Sequence, residues 1–269
     1  MARSARERRE LLREIRNRRS AGEAMVRGVR IPDGVADEQL GHAARVPAVL
    51  ALRDGLDLDG RVTFLVGENG AGKSTIVEAI AVACGLNPEG GSRHLRHATR
   101  ESHSPLGELL TVVRGARRPA SDFFLRAESV FTLATRLDEM AREPYAGDVL
   151  GAYGGTSLHE RSHGESFLAI VEHRFGRDGF YVLDEPEAAL SPQSVLRLMR
   201  RIHDLCDEGS QFVVATHSPI LLALPGARIL LCDEEGLRPI AYDEAPAVRV
   251  TRAFLDRRER TVAELLSDD

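Results

Sequence analysis

One glycine-rich segment of the sequence has residue types that suit phosphate binding. Residues 67–74 read GENGAGKS and match the pattern G-x-x-x-x-G-K-[ST] in full. Glycines let the backbone curl so that consecutive N–H groups converge on phosphate oxygens, and the start of the following helix adds its positive end. We expect Lys73 to reach the β- and γ-phosphates of ATP and Ser74 to hold Mg²⁺. The predicted nucleotide-binding residues of this loop are Gly67, Asn69, Gly70, Ala71, Gly72, Lys73, Ser74 and Thr75.

The lysine of this loop has a distinctive place in the composition. Lys73 is the only lysine among 36 basic residues, and the rest are arginines. A compact ammonium suits a phosphate where a point charge is needed rather than a planar fork. GC-rich codon usage accounts for the many arginines, but it does not account for the position of the single lysine in this loop.

Acidic and imidazole side chains follow two other apolar runs. Asp184 and Glu185 come directly after the run 180–183, where Asp184 is expected to orient the shell of a Mg²⁺ ion and Glu185 to polarise an attacking water. His217 follows QFVVAT and is a candidate contact to the γ-phosphate. Alternatively, the acidic pair is the end of a strand that turns into solvent, and the histidine is an ordinary loop residue.

The segment 161–167 reads RSHGESF and allows more than one interpretation. Its Gly164-Glu165-Ser166 begins like the G-x-S-x-G elbow of serine hydrolases, but the fifth position is Leu168 and no buried strand precedes it. A hydrolase elbow is therefore excluded. Ser162 as N-cap with Glu165 three residues later instead predicts a capping box at the start of a helix.

Together these motifs resemble a known superfamily. The order is P-loop, S-x-G-E, DEP 22 residues after Ser162, and then a histidine after the next strand. It resembles the ABC-type ATPase fold shared by transporter motors and SMC-like DNA-repair ATPases. Within that superfamily the chain resembles bacterial AAA family ATPases that carry SHGESFL, LDEPEAALSP and ATHSPILL, and the likeness covers roughly residues 45–260.

The resemblance implies an ATP-dependent homodimer with two nucleotide sites at its interface. Each P-loop would be closed by the signature sequence of the other subunit, with contacts from Ser162, Gly164 and Glu165. The resemblance also implies that Ser74 and Asp184 serve Mg²⁺, that Glu185 is the general base and that His217 is the switch histidine.

The chain departs from the superfamily pattern at three places. The glutamine that usually contacts magnesium is not evident, and Glu128 is the candidate in its place, with Arg126 second. Ser191 stands where an aspartate usually follows the DEP segment. No Trp or Tyr precedes the P-loop, so the aromatic platform for adenine is missing.

The pattern of elements predicts how these residues are positioned. Apolar runs at 61–66, 109–113, 122–128, 180–183, 211–216 and 228–232 predict strands that alternate with helices. They indicate an α/β fold with a largely parallel sheet flanked by helices, of the P-loop ABC-ATPase type. A small helical subdomain at about 127–175 would carry the signature. Residues 26–60, including VPAVLAL, are expected to form edge strands and loops, and one charged helix is expected from about 247 to 266.

Composition and charge limit the class of protein. The chain has 269 residues, 43% of them hydrophobic and 29% charged, which predicts one domain at 26–269 after a basic arm at 1–25. No apolar run approaches the roughly 20 residues that span a bilayer, so we expect a cytosolic protein without membrane insertion. The cysteines, Cys84, Cys206 and Cys232, are expected to be reduced and mostly buried.

The charge is unevenly distributed along the chain. Residues 1–20 carry a net charge of +5, which leaves −10 on the remainder of a chain whose net charge is −5. The arm and the cluster Arg114, Arg117 and Arg118 are the features that favour nucleic acid, whereas a charged block is more often a solvated tail. An unidentified protein partner is also compatible with this pattern.

The sequence thus predicts a stand-alone Mg²⁺-dependent ATPase that dimerises around nucleotide, with a role in DNA repair or phage defence. Two alternatives remain, namely the ATPase subunit of an ABC transporter and a nucleotide-gated switch with little turnover. A nuclease-linked ATPase would need its nuclease on another protein, since the chain carries no metal-rich nuclease motif.

Overall fold

A six-stranded sheet forms the centre of the protein in a computed structural model that describes residues 24–92, 105–143 and 147–267. Its strand order is β5-β6-β7-β3-β8-β9, and all neighbours are parallel except the β8–β9 hairpin. The strands are β3 (Val62–Val66), β5 (Ser121–Arg126), β6 (Gly179–Asp184), β7 (Gln211–Ala215), β8 (Arg228–Asp233) and β9 (Gly236–Ile240). The carboxyl ends of the parallel strands meet at one edge of the sheet, where α/β proteins bind their ligands.

A smaller antiparallel sheet and ten α-helices surround the central sheet in the described parts of the chain. The small sheet has the order β2-β1-β4, with β1 at Val26–Arg30, β2 at Leu56–Asp57 and β4 at Thr111–Arg114. The helices are α1 (Asp37–Leu40), α2 (Pro47–Leu50), α3 (Lys73–Ala83), α4 (Leu106–Leu109), α5 (Val130–Ala141), α6 (His163–Arg174), α7 (Pro192–Asp207), α8 (Pro219–Leu222), α9 (Pro246–Asp256) and α10 (Arg258–Leu266). No described helix is long and apolar enough to cross a membrane.

The central strands are apolar on both faces because each face has its own hydrophobic core. In β3, Phe64 belongs to the core that contains residues of α5, α6 and α7, whereas the next residue, Leu65, belongs to the core that contains α3 and β1. This alternation follows from the period of two residues in a strand. Continuous apolar runs such as VTFLV are typical of strands covered by helices on both sides.

A buried glutamine connects the two sheets. Gln211, at the start of β7, is 3% exposed. Its Oε1 accepts hydrogen bonds from the backbone N–H groups of Met25 (3.1 Å) and Val26 (3.0 Å). Its Nε2 donates to the carbonyl oxygens of Val26 and Leu58, each at 2.7 Å. The amide thereby satisfies four backbone groups of the small sheet and its following loop.

The α/β class with a mostly parallel sheet flanked by helices is confirmed, and three local predictions are wrong. Residues 47–50 form a helix rather than an edge strand, because Pro47 takes a first-turn position where its missing N–H costs nothing. The C-terminal helix is two helices, since Arg257 has non-helical angles (φ −133°, ψ 34°). Strand β5 ends at Arg126, so Glu128 lies in a 3-10 turn after the strand.

Two further predictions concern the periphery of the domain. Residues 1–23 of the basic arm lie outside the described residues, whereas Met25, which we had assigned to the arm, is buried. Cys84, Cys206 and Cys232 are all buried, as expected. Burial raises the pKa of both Cys206 and Cys232 to about 12, so these two thiols stay protonated.

Candidate functional site

The glycine-rich loop joins β3 to α3, as the sequence predicts, and its glycines adopt conformations that other residues rarely take. Gly67, Gly70 and Gly72 have φ values of 146°, 83° and 94°. A Cβ on Gly67 would collide with the carbonyl oxygen of Cys232, and one on Gly72 would lie 2.5 Å from Val46 Cγ1. The loop therefore requires glycine for its backbone angles and also for its close packing.

Lys73 begins α3 and is 3% exposed. Its Nζ donates to the carbonyl oxygen of Glu68 at 2.9 Å, so the ammonium group curls back over the loop that precedes it. Burial lowers the pKa of Lys73, while the nearby carboxylates of Glu185 and Asp184 oppose that shift. An ammonium group in this position can contact phosphates that bind to the loop.

The next residue of α3 contacts the end of β6. Ser74 Oγ donates to Asp184 Oδ1 at 3.0 Å, although β7 separates β3 from β6 in the sheet. Asp184 is 5% exposed, and burial raises its pKa to about 6 against the opposing effects of Arg126 and Ser74. Mg²⁺ binds nucleotides through one or two protein oxygens, with phosphates and water as its other ligands. A hydroxyl and a carboxylate side by side at the P-loop fit that requirement.

Glu185 has an unusual backbone conformation. Its φ of 47° and ψ of 51° lie in the left-handed region, and its N–H donates to the carbonyl oxygen of Ala215 at 3.0 Å. Its Oε1 lies 3.7 Å from Nε2 of His217. That nitrogen is buried and has no hydrogen-bond partner among the described residues. Non-glycine residues in this region cost about 1–3 kcal/mol and occur disproportionately at functional sites.

A further carboxylate holds the histidine loop, and the sequence reasoning did not single it out. Glu187 Oε2 accepts a hydrogen bond from Thr216 Oγ1 at 2.8 Å, and its Oε1 accepts from the backbone N–H of His217. Thr216 Oγ1 also accepts from the N–H of Ser218 at 3.0 Å. The signal in the sequence was the last acid of DEPE, which lies one short turn after β6. Glu187 therefore connects the acidic segment to the histidine segment.

Glu128 and Arg126 are the two candidates for the position of the magnesium-contacting glutamine. Of these, Arg126 lies next to Asp184. Arg126 Nε lies 3.6 Å from Asp184 Oδ2. The side chain of Glu128 is 75% exposed, and its Oε1 forms an ion pair with Arg126 at 2.7 Å. Arg126 is the last residue of β5 and pairs with Asp184, the last residue of β6. Glu128 lies two residues beyond the end of β5.

The segment RSHGESF forms the predicted capping box at the start of α6. Ser162 Oγ accepts from the N–H of Glu165 at 3.3 Å, and the N–H of Ser162 donates to Glu165 Oε2 at 2.9 Å. Hydrogen bonds from Ser162 lower the pKa of the Glu165 carboxyl group. Ser162 and Glu165 are both exposed, and a Cβ on Gly164 would lie 2.9 Å from the carbonyl oxygen of Ala189. The start of α6 therefore packs on the turn after Glu185 while it presents polar groups to solvent.

An open cleft of about 620 Å³ lies beside the P-loop. It is lined by Pro47, Gly67, Glu68, Asn69, Gly70, Ala71, Leu231, Cys232, Asp233, Glu234, Glu235 and Pro246. None of these described lining residues is aromatic.

Two family models match the segments that carry these motifs. One is described as "AAA domain" and matches residues 52–114, which include the P-loop. The other is described as "AAA domain, putative AbiEii toxin, Type IV TA system" and matches residues 154–223, which include the signature, the acidic pair and His217. These two matches, with the motifs that they contain, support an ATP-binding P-loop domain of the ABC and SMC type.

Curated relatives of this ATPase domain include transporter proteins. "Ribose import ATP-binding protein RbsA 1" of Rubrobacter xylanophilus is 30% identical over 210 residues, which cover 71% of this chain and 41% of that protein. "ABC transporter G family member 14" of Dictyostelium discoideum is 25% identical over 236 residues, which cover 72% of this chain and 16% of that protein. The chain thus spans less than half the length of either relative.

Among solved structures, the chain is similar to "SMC head domain from Thermotoga maritima". The TM-score is 0.37 and the identity is 18%, with 70% of this chain and 93% of that chain covered.

Proposed function

We propose that this protein hydrolyses ATP in a Mg²⁺-dependent reaction, at two sites that two copies of the chain share. The observation that carries the proposal is the meeting of five functional groups at one edge of the sheet. Ser74 and Asp184 are joined by a 3.0 Å hydrogen bond, and Glu185 and His217 approach to 3.7 Å, with Lys73 directly before Ser74 at the start of α3.

Each of these residues has a role in the proposed reaction. Lys73 and the loop N–H groups bind the phosphates, while Ser74 and Asp184 would hold Mg²⁺. The ion would neutralise charge on the β- and γ-phosphates. Glu185 orients a water molecule and accepts its proton as the water oxygen bonds to the γ-phosphorus. The bond from that phosphorus to the bridging oxygen breaks, which leaves ADP and phosphate.

His217 and Glu187 support this arrangement. The Nε2 atom of His217, next to Glu185, is available to contact the γ-phosphate because it has no other hydrogen-bond partner among the described residues. Glu187 fixes the backbone of His217 through its N–H. The histidine is thereby kept beside the proposed general base.

The proposed dimer places the start of α6 of one copy over the P-loop of the other. The exposed start of α6 supports this arrangement, since the N–H groups of its first turn that lie outside the capping box attract phosphate. A capped helix start and an anion site are compatible, because the capping box uses only part of the first turn.

The experiment that tests the proposal compares wild type, Lys73→Ala and Glu185→Gln. We expect Mg²⁺-dependent ATP hydrolysis by wild type, loss of ATP binding in Lys73→Ala, and retained binding without turnover in Glu185→Gln. Light scattering after size exclusion should show a dimer of Glu185→Gln only with ATP and Mg²⁺. A monomer under those conditions contradicts the shared sites, whereas wild-type turnover below background contradicts hydrolysis and favours a nucleotide-gated switch.

The process that hydrolysis drives has two candidates. DNA repair or phage defence in the cytosol is favoured by the net charge of +5 on residues 1–20. A role as the ATPase subunit of a transporter is favoured by the curated relatives, which are named as transporter proteins. Repeating the light scattering with duplex DNA separates them, because only the first candidate predicts a complex with DNA that forms with the ATP-bound dimer.

A further inference from the structure

An arginine lies among carboxylates at the proposed metal site. Arg126 Nη1 donates to Glu78 Oε2 at 2.8 Å, its Nη2 pairs with Glu128 Oε1 at 2.7 Å, and its Nε lies 3.6 Å from Asp184 Oδ2. Its guanidinium also lies 5.9 Å from the ring centre of Phe124, which is fully buried. Contacts to three carboxylates and one aromatic ring fix the position of this cation.

The two oxygens of Asp184 have different partners. Oδ1 accepts the hydrogen bond from Ser74 of the P-loop, and Oδ2 faces Arg126. Arg126 Nε is buried and makes no hydrogen bond within the described residues, so at 3.6 Å its attraction to Oδ2 is electrostatic. A buried carboxylate needs a counter-charge, and Arg126 supplies it.

A guanidinium cannot do what the usual glutamine does. The glutamine side chain has an oxygen that can face a metal, whereas arginine has five N–H donors, no acceptor and a permanent positive charge. Arg126 therefore repels a divalent cation that approaches Asp184 and attracts the phosphates that such a cation would accompany. The positive charge of Arg126 is thus unfavourable for binding of the metal and favourable for binding of the nucleotide.

We infer that Arg126 is a built-in counter-ion which allows nucleotide phosphates to bind beside Asp184 without metal and which competes with Mg²⁺ for the Asp184 carboxylate. The inference rests on the proposed function, because it requires nucleotide at the P-loop. It assigns Arg126 a role in setting the metal requirement of binding, separate from the hydrolytic roles of Glu185 and His217.

The test measures binding rather than turnover. Affinity for the non-hydrolysable analogue AMP-PNP is determined by calorimetry in EDTA and in saturating Mg²⁺, for wild type and Arg126→Gln. In EDTA, Arg126→Gln should bind about tenfold more weakly or worse, since the phosphates then face unneutralised carboxylates. In saturating Mg²⁺ the two proteins should differ much less, and Arg126→Gln should need a lower Mg²⁺ concentration for half-maximal binding.

Three further variants make the result specific. Arg126→Lys keeps the charge and should retain most of the binding in EDTA. Glu128→Gln removes an exposed partner of Arg126 without removing the cation, so binding in EDTA should not weaken. Arg136→Gln alters an exposed arginine of α5 that pairs with Glu139, and it should behave as wild type in both conditions.

The outcomes separate this inference from the proposed function. The role of Arg126 is overturned if Arg126→Gln loses affinity for AMP-PNP equally in EDTA and in Mg²⁺, or loses none in either. The nucleotide site itself still holds in that case, provided that wild type binds AMP-PNP with Mg²⁺ and Lys73→Ala does not. If wild type fails to bind AMP-PNP with Mg²⁺, or Lys73→Ala binds equally well, the nucleotide site itself is wrong and both proposals fail. Melting temperatures of all variants show whether each one is folded.

Discussion

Asp184 is a carboxyl group that the fold buries at the end of a central strand. Its pKa in the folded protein is about 6 because burial penalises the charged form more than Arg126 and Ser74 favour it. The folded state therefore binds a proton more tightly than the unfolded chain does. By linkage, this group makes the protein less stable as pH rises from about 4 to about 6, and the loss persists above that range.

We predict that Asp184→Asn stabilises the nucleotide-free protein in EDTA at pH 8. The gain should be about 1–3 kcal/mol, because an amide of the same shape avoids the cost of burying a charge, which Arg126 and Ser74 offset only in part. It should fade as pH falls towards 4, where wild-type Asp184 is protonated too. Urea denaturation at several pH values measures the effect, with the exposed Asp243→Asn as control. A variant that is less stable than wild type at pH 8 contradicts this account.

Glu187 acts on the site through the backbone of its neighbours. We predict that Glu187→Ala lowers kcat by about 10- to 100-fold, because small displacements of functional groups carry costs of that size. The KM for ATP should change little, since Glu187 makes no contact with the P-loop in the described hydrogen bonds. Steady-state kinetics measure both constants.

The conservative variant Glu187→Gln serves as the control, because its amide oxygen can still accept from the N–H of His217. It should recover most of the lost kcat. If it is as impaired as Glu187→Ala while both variants keep the wild-type melting temperature, charge rather than positioning is the function of Glu187.

At the scale of elements, the start of α6 combines a structural cap with the proposed contact in trans. We predict that Ser162→Ala costs about 1 kcal/mol of stability, the usual value for a lost N-cap. Ser191→Ala removes a cap of the same kind from α7 and calibrates that cost.

Ser162→Arg should abolish hydrolysis but leave the affinity of the monomer for ATP unchanged. Equilibrium binding and a turnover assay together measure this. Weaker binding to the monomer would place Ser162 near its own P-loop instead.

The sequence predicts elements well where local chemistry and tertiary packing agree. GENGAGKS lies between a buried strand and a largely buried helix, as its motif predicts. The capping box of Ser162 was likewise predictable, because it is encoded within four residues.

Elements whose conformation depends on distant contacts were less predictable. VPAVLAL is apolar enough for a strand, but its Val49 and Leu52 belong to the core that contains α3, where a helical turn fits. The contact of Arg126 with Asp184 joins two strand ends and depends on where β5 stops, which periodicity defines only within a few residues. Glu187 was missed because its partners, Thr216 and His217, lie about 30 positions further along the chain.

At the scale of the whole molecule, shared sites predict that two inactive variants can complement each other. Ser162→Arg disables the signature and Lys73→Ala disables the P-loop. A mixed dimer still has one site that combines an intact P-loop from one copy with an intact signature from the other. We predict that equimolar mixing restores about half of the sites in each mixed dimer, while either variant alone stays inactive. Turnover against mixing ratio measures this, and Ser162→Arg mixed with Glu165→Arg is the control that should not recover. Absence of recovery in the first mixture would contradict sites completed in trans.

Gln211 has a consequence for how the protein unfolds. Its amide is the common partner of backbone groups at Met25, Val26 and Leu58, and it is itself the first residue of β7, the strand between the P-loop strand and the Asp184 strand. Opening of the small sheet would leave this buried amide without partners, at a cost of several hydrogen bonds. The small sheet and the central sheet are therefore expected to melt as one cooperative unit rather than in separate steps.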